Sequence, residues 1–175
     1  MARHSRSLEL SVRPLAAGAI AVLLAAGCGR APDDDAAFAG VQRRGETAMG
    51  VDQYTSSHFF EPLPDGGRIV LQRDSADAAG TATIRDHMRH IAARFAEGDF
   101  RLPGFVHAQT VPGTAEMAAR RRAITYTADT LPRGGQVRLR TADTTAVRAI
   151  HEFLAFQRAD HRASGGEHSA HPGSP

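Results

Sequence analysis

Gly134-Gly135-Gln136-Val137-Arg138-Leu139-Arg140 decides the fold, because an earlier stretch, Gly66-Gly67-Arg68-Ile69-Val70-Leu71, repeats its pattern. Each is a glycine pair followed by a run that suits a strand, short and apolar-rich after Gly67 and alternating between apolar and polar or basic residues after Gly135. Each is also preceded by turn residues, Asp65 in one case and Leu131-Pro132-Arg133 in the other. Beyond each strand lies an aspartate-containing loop and then a helical pattern. The first carries Ile84-Arg85 and the second Val147-Arg148, so the chain contains two strand–loop–helix units, a possible duplication.

Working outward, Ile84, Met88, Ile91 and Phe95 recur at helical spacing between residues 83 and 97, and Gly98 is a natural stop. Arg122-Ala123-Ile124-Thr125-Tyr126-Thr127 alternates as a third strand and should pair with residues 136–140 in an antiparallel hairpin with a longer loop. Asp143 or Thr144 can cap a last helix whose stripe is Val147, Ile150, His151 and Leu154. The expected fold class is α+β, a small sheet of about three strands with two helices packed on one face.

The ends of the chain read differently. Arg3, Arg6 and Arg13 precede an apolar run from Leu15 to Ala26, too short to span a bilayer but suited to a secretory signal. Ala25-Ala26-Gly27-Cys28 resembles a lipobox, which makes residues 1–27 a lipoprotein signal peptide and Cys28, the single cysteine, its lipidation site. Several acyl chains would anchor the chain stably in a membrane. Gly29 rather than Asp after the cysteine favours, by resemblance to Gram-negative lipoproteins, the outer membrane, with the domain facing the periplasm. Residues 28–48 suit a flexible tether, 49–163 a single domain, and the Gly/Ser/Pro/His mix of 164–175 a disordered tail.

The formal net charge of +2 comes from the leader. The whole chain has 21 basic and 19 acidic residues; without Arg3, Arg6, Arg13 and Glu9 it holds 18 of each sign. Phosphate-backbone binding needs a concentrated positive excess. Arg120-Arg121-Arg122 is the densest cluster and suits a solvated strand entry, so nucleic acid is an unlikely class of partner on this reading.

Histidine is the residue type that packing alone does not ask for. His87 lies one turn from Ile84 and Ile91, His151 one turn from Val147 and Leu154, and His107 in an expected loop. These three, with His161 at the end of the last helix and the thioether of Met117 or Met49, are the candidate metal ligands. Imidazole suits copper and zinc, and a thioether turns the preference toward Cu(I). Asp86, Asp99 and Asp160 are candidate acceptors that would orient the imidazoles. His90 falls on the solvated side of its helix. Neither HExxH nor GxSxG, a Walker loop or a Rossmann glycine pattern is present, and no nucleophile stands out, so the residues point to binding rather than turnover. The alternative class is a non-enzymatic envelope module that recognises a protein partner.

Several blocks resemble, as a group, a family of small exported bacterial proteins of unassigned activity. They are Met49-Gly50-Val51-Asp52-Gln53-Tyr54 with His58-Phe59, Gly98-Asp99-Phe100 with Pro103 and His107, and Val111-Pro112-Gly113-Thr114 with Met117. Leu131-Pro132-Arg133-Gly134-Gly135 and His151-Glu152-Phe153-Leu154-Ala155-Phe156-Gln157-Arg158 with Asp160-His161 complete the set. The resemblance implies a small exported protein. Members are sometimes labelled aspartate carbamoyltransferase, an activity whose Ser-Thr-Arg-Thr loop and His-Pro-x-Gln segment do not occur in this chain.

Overall fold

A computed structural model describes residues 32–163. Cys28, the leader and residues 164–175 lie outside the described residues. The sheet has four antiparallel strands in the order β1-β2-β4-β3, formed by β1 (Ser56–Leu63), β2 (Gly66–Arg73), β3 (Thr125–Leu131) and β4 (Gly134–Arg140). Helices α1 (Pro32–Met49), α2 (Ala78–Ala96), α3 (Arg101–His107), α4 (Thr114–Ala119) and α5 (Thr144–Asp160) complete the fold, with two short 3-10 turns at Gln53–Thr55 and Arg121–Ala123. The class is α+β, as expected, with one more strand and three more helices than the sequence suggested.

The two hairpins are built alike. Leu63-Pro64-Asp65-Gly66 closes the first, and Leu131-Pro132-Arg133-Gly134 the second, with Leu63 opposite Gly66 and Leu131 opposite Gly134. Each is therefore a two-residue connection, tighter than the longer loop expected for the second. One spacing relates Leu63 to Leu131, Pro64 to Pro132, Gly67 to Gly135 and Leu71 to Leu139. The equivalent residues Ile69 and Val137 pair directly across β2 and β4, so a local two-fold axis passes between them. The helices follow suit. Asp77 caps α2 by accepting from Gly80 N, and Asp143 caps α5 by accepting from Thr145 N and Ala146 N, each satisfying orphan helix donors.

The helices cross over the sheet, α2 against β3 and β4 and α5 against β1 and β2. Equivalent glycines permit this close approach. A Cβ on Gly67 would stand 2.2 Å from Leu154 Cδ1, and one on Gly135 3.2 Å from Met88 Cγ. Aligned on their capping aspartates, Met88 and Leu154 are themselves equivalent. Ile84, Met88, Ile91 and Phe95 are buried from α2, and Ile150, Phe153 and Leu154 from α5, against Phe60, Ile69, Leu71, Val137 and Leu139 of the sheet.

Four departures have physical reasons. Residues 28–48 were read as a tether, but α1 is helical from Pro32. Asp33, Asp34 and Asp35 complement the positive end of its dipole, and Arg44 Nε donates 2.7 Å to Val106 O. β1 is an edge strand, where Pro62 costs no central ladder bond. The segment around His107 is a short helix rather than a loop, with Pro103 in its first turn, where a missing N–H is tolerated. The buried stripe of α5 is Ala146, Ala149, Ile150, Phe153, Leu154 and Gln157, rotated from the expected Val147–His151–Leu154 line.

Candidate functional site

Four histidines line one cavity between α2, α5, α3 and the start of β1. His58 comes from β1, His87 from α2, His107 from the last position of α3, and His161 from the turn that ends α5. The remaining walls are apolar, including Met49, Phe60, Met88, Phe95 and Phe153. The free space is about 70 Å³. Pockets for drug-sized ligands run to roughly 300–1,000 Å³, so this one suits an ion or a few waters rather than a metabolite.

The imidazoles are not equivalent. His107 is spoken for at both nitrogens. Its Nδ1 is bonded to the Asp160 carboxylate, and its Nε2 lies 2.8 Å from the acceptor Gln157 Oε1. It locks α3 onto α5 and leaves no lone pair for a ligand. His58 and His161 are the opposite case. Their rings stack with centroids 4.8 Å apart, and His58 Nε2 and His161 Nδ1 are buried with no hydrogen-bond partner. Buried polar atoms usually have a partner, so each of these calls for an explanation. His87 lines the same cavity and makes no hydrogen bond among the described residues.

Burial also sets the charge state. It pushes His58 down to about 4, aided by His87, and His87 down to about 4, aided by His90. His161 is pushed down further still, by burial first and then by His58 and His107, against an opposing pull from Asp160. At neutral pH all three rings are uncharged and present lone pairs, the form in which imidazole binds a metal. On its far side the His58–His161 pair borders a polar recess with Gln53, Ser56, Ser57 and Arg162. The pair thus partitions an apolar interior from a polar approach.

The expected ligands are divided by this geometry. His87, His107 and His161 share the cavity; His151 and Met117 do not line it. His151 Nε2–H donates 2.9 Å to Leu63 O, at the opposite end of β1 from His58, because the rotated stripe turns it to the flank of α5. Met117 is packed in the core from α4. Of the expected orienting carboxylates, only Asp160 reaches an imidazole. Asp86 pairs with Arg89 on the surface. Asp99 accepts from Arg101 and pairs with Arg94, contacts that hold its carboxyl well below the usual range. His58 is not among the expected ligands; its alternation with Phe60 in β1 is the signal that places it inside.

Among the described residues, no group of three or more His, Cys, Asp or Glu is arranged to hold a metal ion, and no helix is long and apolar enough to cross a membrane. Compared with known proteins, the chain matches no family model, no curated protein and no solved structure.

Proposed function

We propose that this domain binds a transition metal, copper or zinc, in the cavity lined by His58, His161 and His87, and that it serves metal handling or sensing in the cell envelope rather than turnover. The observation that carries the reading is the pair of buried, unpartnered nitrogens, His58 Nε2 and His161 Nδ1, on neutral rings 4.8 Å apart. Two further features support it. The cavity is ion-sized, and the equivalent position across the local two-fold axis is filled by Tyr126, Phe95 and Phe153, so the fold itself does not require histidine there. His107, His151 and Met117 have structural roles on this reading: a latch, a flank contact and core packing.

Stacked rings send their lone pairs side by side. Imidazole–metal bonds are about 2.0–2.1 Å long, so two nitrogens sharing an ion must approach within about 4 Å. One ring has to turn on binding. His161 is placed to do so, since it lies in the turn after α5 rather than within the helix. The sequence supports an envelope location with the domain held through a lipid on Cys28. The shared register of the hairpins supports an origin of the two halves by duplication.

A carbamoyltransferase reading has no comparable support. The cavity walls carry no Arg or Lys to hold a carbamoyl phosphate dianion. The test is metal titration of the mature chain carrying His168→Ala and His171→Ala, so that the tail contributes no imidazole. One equivalent of bound metal, lost on His58→Ala with His161→Ala, is the expected result. Absence of bound metal, together with no thermal shift on adding copper or zinc, rejects the reading.

A further inference from the structure

The walls of the histidine cavity contain no carboxylate, no thiolate and no basic side chain; its polar groups are imidazoles and the Gln157 amide. Two of its apolar walls are thioethers, Met49 and Met88, both buried. We infer that the occupant is monovalent cuprous ion, held by His58 and His161 with sulfur from Met49 or Met88 completing the coordination. This rests on the metal reading above and assigns the ion within it.

Charge and softness favour the cuprous ion. The cost of taking an ion out of water rises with the square of its charge, so a divalent ion suffers about four times the penalty of a monovalent one of similar size. Structural zinc sites offset that cost with four ligands, commonly including anionic cysteine or carboxylate. No anionic side chain lines this cavity. Soft thioether sulfur with imidazole is a donor set that selects Cu(I) over zinc. Position supports the same assignment. Met88 occupies the α2 site equivalent to Leu154 in α5, so an apolar side chain without sulfur serves at the corresponding contact. The polar recess with Ser56, Ser57 and Gln53 provides an approach to the histidine pair, and the apolar side beyond it supplies the sulfur.

The experiment is anaerobic competition of the mature chain, with His168 and His171 replaced by alanine, against a chromophoric Cu(I) chelator. Parallel thermal-shift titrations use Ag(I), a redox-inert stand-in for Cu(I), and Zn(II). Cu(I) and Ag(I) should each bind at one equivalent and raise the melting temperature, whereas Zn(II) should bind at least about 100-fold more weakly. Met49→Leu with Met88→Leu, a near-isosteric change that keeps the core filled, should weaken Cu(I) by roughly tenfold or more while the apo melting temperature moves little. Zn(II) binding as tight as Cu(I), or unchanged Cu(I) affinity in the double methionine variant, overturns the cuprous assignment while the metal reading stands. If none of the three ions binds, both fall.

Discussion

Two sets of ring positions related by the local two-fold axis carry different chemistry, and they adjoin, since Phe95 and Phe153 also wall the histidine cavity. In one set, His58 of β1 faces His161 after α5, with His87 of α2 beside them. In the equivalent set, Tyr126 of β3 meets Phe95 of α2 edge-on at 6.0 Å, and Phe153 of α5 packs on Phe95 at the same separation. The backbone frame is shared: the same hairpin register, the same capping aspartates, the same glycine under each crossing helix. A frame that accepts three aromatic rings in one set has no packing need for three imidazoles in the other. His58 and His161 each bring a buried nitrogen without a partner, a cost of about 1–3 kcal/mol for an unmade hydrogen bond, against one such atom, the Tyr126 hydroxyl, in the aromatic set. The difference between the sets is therefore informative about function, where the histidine count by itself is not.

Exchanging the sets gives the largest expected effect. His58→Tyr with His161→Phe places the rings of the aromatic set at the histidine positions proposed to bind metal. The variant should fold and lose specific metal binding entirely, as read by titration and by circular dichroism. Retained stoichiometric binding would break the contrast.

The pair of crossing glycines tests the shared frame. Gly67→Ala puts a Cβ 2.2 Å from Leu154 Cδ1 and 2.8 Å from Glu61 O. Gly135→Ala meets Met88 Cγ at 3.2 Å and Asp129 O at 3.1 Å. The first should cost about 1–3 kcal/mol in urea unfolding, the usual range for overpacking, and the second clearly less, because a flexible methionine can give way. Equal costs would mean that the two helix crossings are better matched than these contacts imply.

Acid distinguishes the sets more gradually. His58 and His87, whose folded-state values lie near 4 rather than 6.5, bind fewer protons folded than unfolded as pH falls below 6.5. Their contribution to stability is complete above about pH 6.5 and lost toward pH 4, with a slope of roughly 1.4 kcal/mol per pH unit per histidine. His161, displaced in the same direction, adds to the slope. Denaturant midpoints measured from pH 7 to pH 5 should fall for the natural chain and flatten for the His58→Tyr/His161→Phe variant. A slope that the double variant leaves unchanged would locate the acid sensitivity elsewhere. The smallest effect belongs to the aromatic set. The Tyr126 hydroxyl is buried and unpartnered, and burial pushes the phenol well above its ordinary range. Tyr126→Phe should leave stability unchanged or raise it by up to about 1 kcal/mol.

What could be read in advance follows from where each signal resides. β2, β4 and α2 were legible because their signals are strong and local: a short apolar run after a glycine pair in β2, alternation after a glycine pair in β4, and Ile84, Met88, Ile91 and Phe95 along one helical face. The Asp143 cap was legible for the same reason. β1 was not, since Pro62 breaks the strand pattern and an edge strand tolerates what a central one does not. α1 has few buried positions, among them Val41 and Met49, and is held by tertiary contacts such as Arg44 to Val106 O and Arg162 to Asp34 O, which spacing along the chain does not reveal. In the candidate site, His87 followed from its place at the edge of a helical apolar face, and His161 from its position at the end of the last helix. His151 was misplaced because a stripe one residue out of phase turns a side chain by about 100°. His58 needed its alternation with Phe60 in β1 to be read.

The central claim is that the unpartnered nitrogens of His58 and His161 await an ion. Nitrogen-resolved NMR of the histidine rings during anaerobic Cu(I) titration of the mature chain tests it most directly. The account predicts that His58 Nε2 and His161 Nδ1 shift together and saturate at one equivalent, while His107 and His151 keep their present partners. Perturbation confined to His151 or the tail histidines, with His58 and His161 unmoved, would contradict it.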